Sequence, residues 1–286
     1  MLKELKKLVL QLVYCRGIGN LGRLKVLRFC LANETTQLSL YEIQRIARIE
    51  KYRLDFYDSW PKAQIMAEKN QRPFFTILDE EYPLFLQEIY NPPSLLFYQG
   101  NLDFLKTPAL AIVGTRDASE QAGKVVQQVL PELIEHNFTI VSGLAKGVDS
   151  LAHKLTVTKQ GRTIAVVGCG LDRTYPKENY YLQKKLAEEH LILSEYPDGT
   201  QPLRYHFPMR NRIIAGLTVG TCVVEARQRS GSLITAQMAL DFGREVFAFP
   251  GACDNPRATG CLQLLQEGAK CVISTQDILD ELTPYL

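Results

Sequence analysis

The chain has 286 residues, 46% of them hydrophobic and 22% charged. That is the composition of a folded chain of one large domain or two, and it excludes a disordered one. No apolar run approaches the ~18 residues that cross a bilayer, and the periodicity excludes collagen and coiled-coil architectures.

A net charge of +2 hides an uneven spread. Residues 1–75 carry 14 Lys and Arg against 7 Asp and Glu, and residues 76–105 carry five acids and no Lys or Arg. Residues 106–286 carry 19 of each sign. The start, Met1 to Lys7, has no long apolar core and no small-residue cleavage site, so no secretory signal is read and a cytoplasmic location is expected. The seven cysteines form no C-x-x-C pair and lie at no zinc spacing to a histidine. Free thiols in a reducing compartment are expected, with no metal or other cofactor.

Residues 1–72 read as helical. Leu5, Leu8, Val9, Leu12 and Val13 recur at three and four residues, and Leu24, Leu27 and Leu31 resume the period after the turn Arg16-Gly17-Ile18-Gly19-Asn20. That turn resembles a helix-hairpin-helix motif, whose amides can touch a phosphate; a tight turn between packed helices is the plainer reading. Gln44 to Ala67 predicts further helix, with Pro61 as its start. Residues 73–108 read as a connector punctuated by Pro73, Pro83, Pro92, Pro93 and Pro108, with Leu95 to Tyr98 as a short strand ending at Gly100.

From residue 109 short apolar runs alternate with helical spacing. The runs are Ala109–Val113, Thr139–Val141, Thr163–Val167, Leu191–Leu193, Cys222–Val224, Val246–Phe249 and Cys271–Ile273. Between them lie helical stretches such as Ala122–Glu135, Val148–Thr158 and Leu233–Phe242. Nearly unbroken apolar strands alternating with helices predict an α/β domain over 109–286: a doubly wound, mostly parallel sheet covered on both faces.

Ligands of such sheets bind outside the carboxyl ends of the strands. Here those ends run into Gly114-Thr115-Arg116, Ser142-Gly143-Leu144-Ala145-Lys146-Gly147, Gly168-Cys169-Gly170, Glu225-Ala226 with Ser230-Gly231-Ser232 beyond, and Pro250-Gly251. Glycine turns that open helices aim N–H groups outward and add the helix dipole, so they form an anion site. Neither G-x-x-x-x-G-K-[ST] nor a G-x-G-x-x-G after the first strand is present, which argues against a P-loop and an ordinary dinucleotide site. In Phe207-Pro208-Met209-Arg210-Asn211-Arg212 cations stand in a helix's first turn, against the dipole. They either hold an anion or pair with an acid such as Glu225.

Taken together, these strings resemble the DprA/Smf family of DNA-processing proteins. The resemblance runs over about residues 105–275 and includes IVGTR at 112–116, SGLAKGVD at 142–149 with Ala152-His153, TIAVVGCGLDRTYPKEN at 163–179, and Ser194-Glu195-Tyr196-Pro197. It continues through FPMRNRIIAGL at 207–217, Val224-Glu225-Ala226, SGSLITA at 230–236 and VFAFPG at 246–251. It implies an extended Rossmann-like domain preceded by a small helical domain similar to a sterile alpha motif. It also implies a homodimer that binds single-stranded DNA, protects it during natural transformation and loads the RecA recombinase. Carried onto this chain, the resemblance implies nucleic-acid contacts from Arg116, Ser142, Gly143, Lys146, Gly147, Lys177, Arg210, Asn211, Arg212, Gly231 and Ser232. Glu225 is assigned a positioning role and no residue a catalytic one. Two departures stand out. Leu262 replaces the Asn that the family often carries in a G-x-N-x-L string, and an extra C-terminal winged-helix domain is expected to be absent.

Single-stranded nucleic acid needs a cationic track and often aromatic platforms. Tyr175, Tyr205 and Phe207 stand beside basic residues as stacking candidates, or pack as ordinary aromatics. A rival reading is an enzyme of nucleoside phosphates, similar to Rossmann-like phosphoribohydrolases. It would use Glu225, but the P-G-G of their P-G-G-x-G-T-x-x-E string is missing from Val219 to Glu225.

Overall fold

Amphipathic spacing in the first seventy residues produces four helices: α1 (Leu2–Tyr14), α2 (Asn20–Ala32), α3 (Leu40–Ala47) and α4 (Arg53–Glu68). The computed structural model describes residues 1–50 and 52–285. In α1 the buried stripe is Leu5, Val9, Leu12 and Val13, one face of a 3.6-residue period. Ser39 and Glu42 close a capping box at the start of α3. The stretch expected as one helix from Gln44 divides at Arg48, whose φ of 56° ends α3. Pro61 lies inside α4 and does not start it. A proline there removes one backbone donor, and packing of Phe56, Ala63 and Ala67 holds the helix regardless.

The remaining chain builds one nine-stranded sheet. Its strands are β1 (Phe74–Thr76), β2 (Leu95–Gly100), β3 (Ala109–Val113), β4 (Thr139–Ser142), β5 (Thr163–Val167), β6 (Leu191–Ser194), β7 (Gly220–Val223), β8 (Glu245–Ala248) and β9 (Lys270–Cys271). Their order is β1-β2-β6-β5-β4-β3-β7-β8-β9. All pairings from β6 to β9 are parallel, and β1 and β2 add an antiparallel edge on β6. The stretch 73–108, read as a connector, therefore supplies two strands of the sheet as well as the short helix α5 (Leu84–Gln87).

Every residue of β3, β4, β5, β6 and β7 is buried. Alternation along β3 sends Leu110 and Ile112 to one face, with Val126 and Leu130 of α6 (Glu120–Glu135) and Ala152 of α7 (Val148–Thr158). It sends Ala111 and Val113 to the other, with Ile213 of α9 (His206–Leu217) and Ala236 of α10 (Gly231–Asp241). Leu95, Phe97 and Ile192 share a core with α1 to α4 and with Leu186 of α8 (Tyr180–Glu189), so the helical region is packed onto the sheet edge. After β8 come α11 (Thr259–Gln266) and α12 (Gln276–Leu282). Successive strands run outward from β3 in one direction and from β7 in the other, so the topological switch point lies between β3 and β7. Among the described residues no helix is long and apolar enough to cross a membrane.

Candidate functional site

A cleft of about 740 Å³ opens at that switch point, beyond the carboxyl ends of β3 and β7. The turn after β3 is held close to both neighbours. Thr115 N–H donates to the Glu225 carbonyl at 2.7 Å, and Val148 N–H donates to the Thr115 carbonyl at 3.1 Å. Gly147, with φ of 72°, caps α7, and a Cβ there would lie 2.3 Å from the Thr115 carbonyl oxygen. These contacts bring the 143–147 loop and the N-terminus of α7 beside Arg116.

Arg210 is the centre of the arrangement. Its side chain is buried and 3.9 Å from Asp149, which lies in the first turn of α7. A Cβ on Gly143 would fall 1.2 Å from Nη1 of Arg210, so the guanidinium occupies the space that any other residue at 143 would fill. Burial raises the Asp149 carboxyl above its ordinary range and lowers Arg210 below its own; each partner's charge opposes the other's shift. Asp149 also accepts the Ala145 N–H at 3.3 Å and so ties the loop to the same pair.

Most of the predicted residues converge here. Arg116, Arg210, Asn211, Gly231 and Ser232 line the cleft, and Arg116, Gly143, Lys146 and Arg210 surround a hollow of about 70 Å³ beside Tyr175 and Phe207. Asn211 Nδ2 donates to the Gly231 carbonyl at 3.2 Å and fastens α9 to the start of α10. Ser230 and Ser232 share a 2.6 Å hydroxyl contact. Exposed Lys146 meets Glu178 at 2.5 Å, and Lys177 is exposed next to that acid. The Tyr175 and Phe207 rings lie 5.4 Å apart, and Arg116 sits 5.5 Å over Phe207. Tyr205 is exposed and packs edge-on to His206.

Four predicted residues do not line the cleft or the hollow beside it: Gly147 and Lys177 stand at their margin, and Ser142 and Arg212 are turned away. The Ser142 side chain is fully buried and its hydroxyl donates to the Ile112 carbonyl at 2.6 Å. Arg212 is buried against Glu195 at 2.5 Å. Arg210 and Arg212 stand two residues apart, about 200° around the helix, so only one of them faces the cleft. Glu225, suggested as an arginine partner, instead binds Ser119. Its two carboxylate oxygens accept the Ser119 hydroxyl at 2.6 Å and the Ser119 N–H at 3.0 Å, which anchors the N-cap of α6.

Arg204, Arg227 and Gln228 also line the cleft and were not singled out as contacts from sequence. The signal for the two arginines was the massing of five between 204 and 229; Gln228 gave none. Asp149 was legible only as the last residue of the SGLAKGVD string at 142–149. Beyond the rim, Asp117 binds Arg257 at 2.7 Å and approaches Arg227 at 3.9 Å.

An open α/β sheet with arginines and helix N-termini around its switch-point cleft defines a Rossmann-like protein. The family model described as DNA recombination-mediator protein A matches residues 73–283, and the chain belongs to that family. It is 48% identical over 267 residues to the DNA processing protein DprA of Streptococcus pneumoniae, covering 93% of this chain and 94% of that one. The Bacillus subtilis DprA is 42% identical over 228 residues, 79% of this chain and 77% of the relative. Among solved structures, the X-ray structure of the Streptococcus pneumoniae protein superposes with a TM-score of 0.88 at 46% identity, covering 97% of each chain. A DNA processing protein A from Helicobacter pylori, described by its single-stranded DNA binding mode, matches with a TM-score of 0.68 at 29% identity. That match covers 76% of this chain and 99% of that one.

Proposed function

We propose that the chain binds single-stranded DNA through its phosphates along this cleft, protects the strand and promotes loading of the RecA recombinase during recombination and natural transformation. The observation that carries the reading is the convergence of Arg116, Arg210, Lys146 and the 143–147 loop at one switch-point cleft. Cations and loop amides read a sugar–phosphate chain without reading bases, and the Tyr175–Phe207 pair offers a platform for one or two of them. In this reading Arg116, Lys146, Lys177, Arg210 and Asn211 reach the strand, with the backbone at Gly143, Gly147, Gly231 and Ser232. Ser142 and Arg212 act from beneath, by holding β4 and α9. The relative from Helicobacter pylori supports the choice of ligand, and the family resemblance supports RecA as partner and a homodimer as the working form.

The reading is non-catalytic. A hydrolase of nucleoside phosphates would need Glu225 free as an acid or base, and both its oxygens are taken by Ser119. Anisotropy titration of fluorescent oligo-dT, beside matching duplex at several salt concentrations, tests the binding. Single-strand preference is expected, with log affinity falling against log salt by about 0.7 per phosphate held. Binding of neither nucleic acid, or release of base from nucleoside monophosphates that Glu225→Gln abolishes, would overturn it. Recombinase filament growth on the protein-bound strand, read beside free strand, tests the loading step.

A further inference from the structure

Resting on that reading, we propose that Arg23, in the helical region, is a positioning residue for the DNA cleft: through Glu195 it sets the orientation of α9 and thereby of Arg210. Arg23 lies outside the span matched by the family model, which begins at residue 73.

One carboxylate is shared by two guanidinium groups. Glu195, just after β6, meets Arg212 of α9 through Oε2 at 2.5 Å and Arg23 of α2 through Oε1 at 3.5 Å. The side chains of Arg23, Glu195 and Arg212 are only 10%, 5% and 5% exposed. Nε and Nη1 of Arg212 are buried without a hydrogen-bond partner, so Glu195 is what holds that guanidinium. A buried cation that depends on one acid is sensitive to anything that turns the acid.

Arg23 is itself held firmly. Its Nε donates to Ser94 Oγ at 3.1 Å, and its Nη2 lies 3.5 Å from Asn20 Oδ1. Asn20 in turn donates to the Pro92 carbonyl at 2.7 Å and accepts the Ser94 N–H at 2.8 Å. The helical region is thus riveted to the lead-in of β2, and the rivet ends on Glu195. The neighbouring residue makes a second grip on α9: the Tyr196 ring stacks on His206 with centroids 3.9 Å apart.

Both grips act on the helix that carries Arg210. The close approach of Gly143 leaves the Arg210 guanidinium no slack toward the loop, so a small rotation of α9 displaces it. Oε1 of Glu195 accepts no hydrogen bond, so the Arg23 guanidinium 3.5 Å away holds that side of the carboxylate by charge alone; losing it lets the carboxylate turn and loosens the contact that fixes Arg212 and with it the helix.

A double-mutant cycle on the full chain tests this, with fluorescent dT20 as the probe. Arg210→Met is expected to weaken binding roughly tenfold, the size of one lost charged contact, and Arg23→Met roughly fivefold. The double variant is expected to bind no more weakly than Arg210→Met alone, because both changes remove the same contact. The salt slope should fall in Arg23→Met by up to about 0.7, as in Arg210→Met, since a phosphate contact is lost in each. Arg23→Lys, which keeps a cation facing Glu195, should recover most of the affinity. Additive losses, or Arg23→Met binding like the wild type with its salt slope intact, would overturn the inference. Should Arg23→Met fail to fold, Ser94→Ala takes its place: it removes only the acceptor that aims Nε and should cost about threefold. Wild-type affinity in that variant overturns the proposal equally. A wild-type chain that does not bind dT20 at all brings down the underlying reading, and this inference with it.

Discussion

The two ends of the parallel sheet carry hollows of similar size and opposite character. The cleft at the carboxyl ends of β3 and β7 measures about 740 Å³ and is walled by Arg116, Arg204, Arg210 and Arg227. The groove at their amino ends, beside Ala109 and Val219, measures about 650 Å³ and is walled by Glu80, Glu81, Leu84, Phe85 and Tyr285, with Lys106 as its one cation among the lining residues. Volume does not separate them; chain direction and charge do. At the carboxyl ends the chain turns into helix N-termini, with unpaired N–H groups and partial positive charge. At the amino ends α9 finishes at Leu217, where the Thr218 hydroxyl donates to the Ile214 and Ala215 carbonyls, and the acids Glu80 and Glu81 belong to a stretch without Lys or Arg. Under the proposed function a polyanion is therefore expected at the first end and not at the second.

Charge reversal breaks the comparison most directly. Arg116→Glu combined with Lys177→Glu should lower oligo-dT affinity at least about a hundredfold at moderate salt, since two contacts become two repulsions. Electrophoretic mobility shift is sufficient to see it. A smaller loss is expected at the glycine beneath Arg210. Gly143→Ala places a methyl group 1.2 Å from Nη1 of Arg210, so the guanidinium must leave its place beside Asp149. Affinity should fall roughly tenfold, the size of one lost charged contact, and the melting temperature should fall as well, because Asp149 loses the cation it faces in a buried site.

Acid sharpens the distinction between holding the fold and holding the ligand. His153 is fully buried, with Nδ1 2.7 Å from the Thr163 hydroxyl, and burial pushes it from 6.5 down to about 3. A histidine kept neutral in the fold contributes stability that is complete above its unfolded value and is lost as pH falls toward the folded one. Melting temperatures should therefore decline from pH 6.5 to pH 5, with this residue accounting for at most about 1.4 kcal/mol per pH unit. A flat profile would show that the histidine is not held neutral. The smallest effect belongs to the acidic groove: Glu80→Lys with Glu81→Lys should change oligo-dT affinity by less than about twofold, as expected of exposed charges remote from the strand.

Much of the sheet was legible before the structure, because strands buried on both faces are unbroken apolar runs, as in Ala109–Val113 and Thr163–Val167. Phe74–Thr76 was not, since three residues show no period, and its place as an edge depends on pairing with β2. The anion-binding rim was legible from glycine turns at the strand ends. What each arginine of Phe207–Arg212 does was not. The string holds Arg210 and Arg212 as equals, and only the packing of α9 on the sheet turns the first to the cleft and the second to Glu195. Glu225 was the arginine partner suggested by sequence, and Glu195, legible only as part of Ser194-Glu195-Tyr196-Pro197, takes that place, while Ser119 occupies Glu225. Arg23 gave no signal, because its partners come from Ser94 and Glu195, 71 and 172 positions along the chain.

The most direct test of the account is a crystal structure of the chain with a short oligo-dT bound. Phosphates should lie within hydrogen-bond reach of the 143–147 amides, Arg116 and Arg210, with a base against Tyr175 or Phe207. A strand seated away from the carboxyl ends of β3 and β7, with that cleft empty, would contradict it.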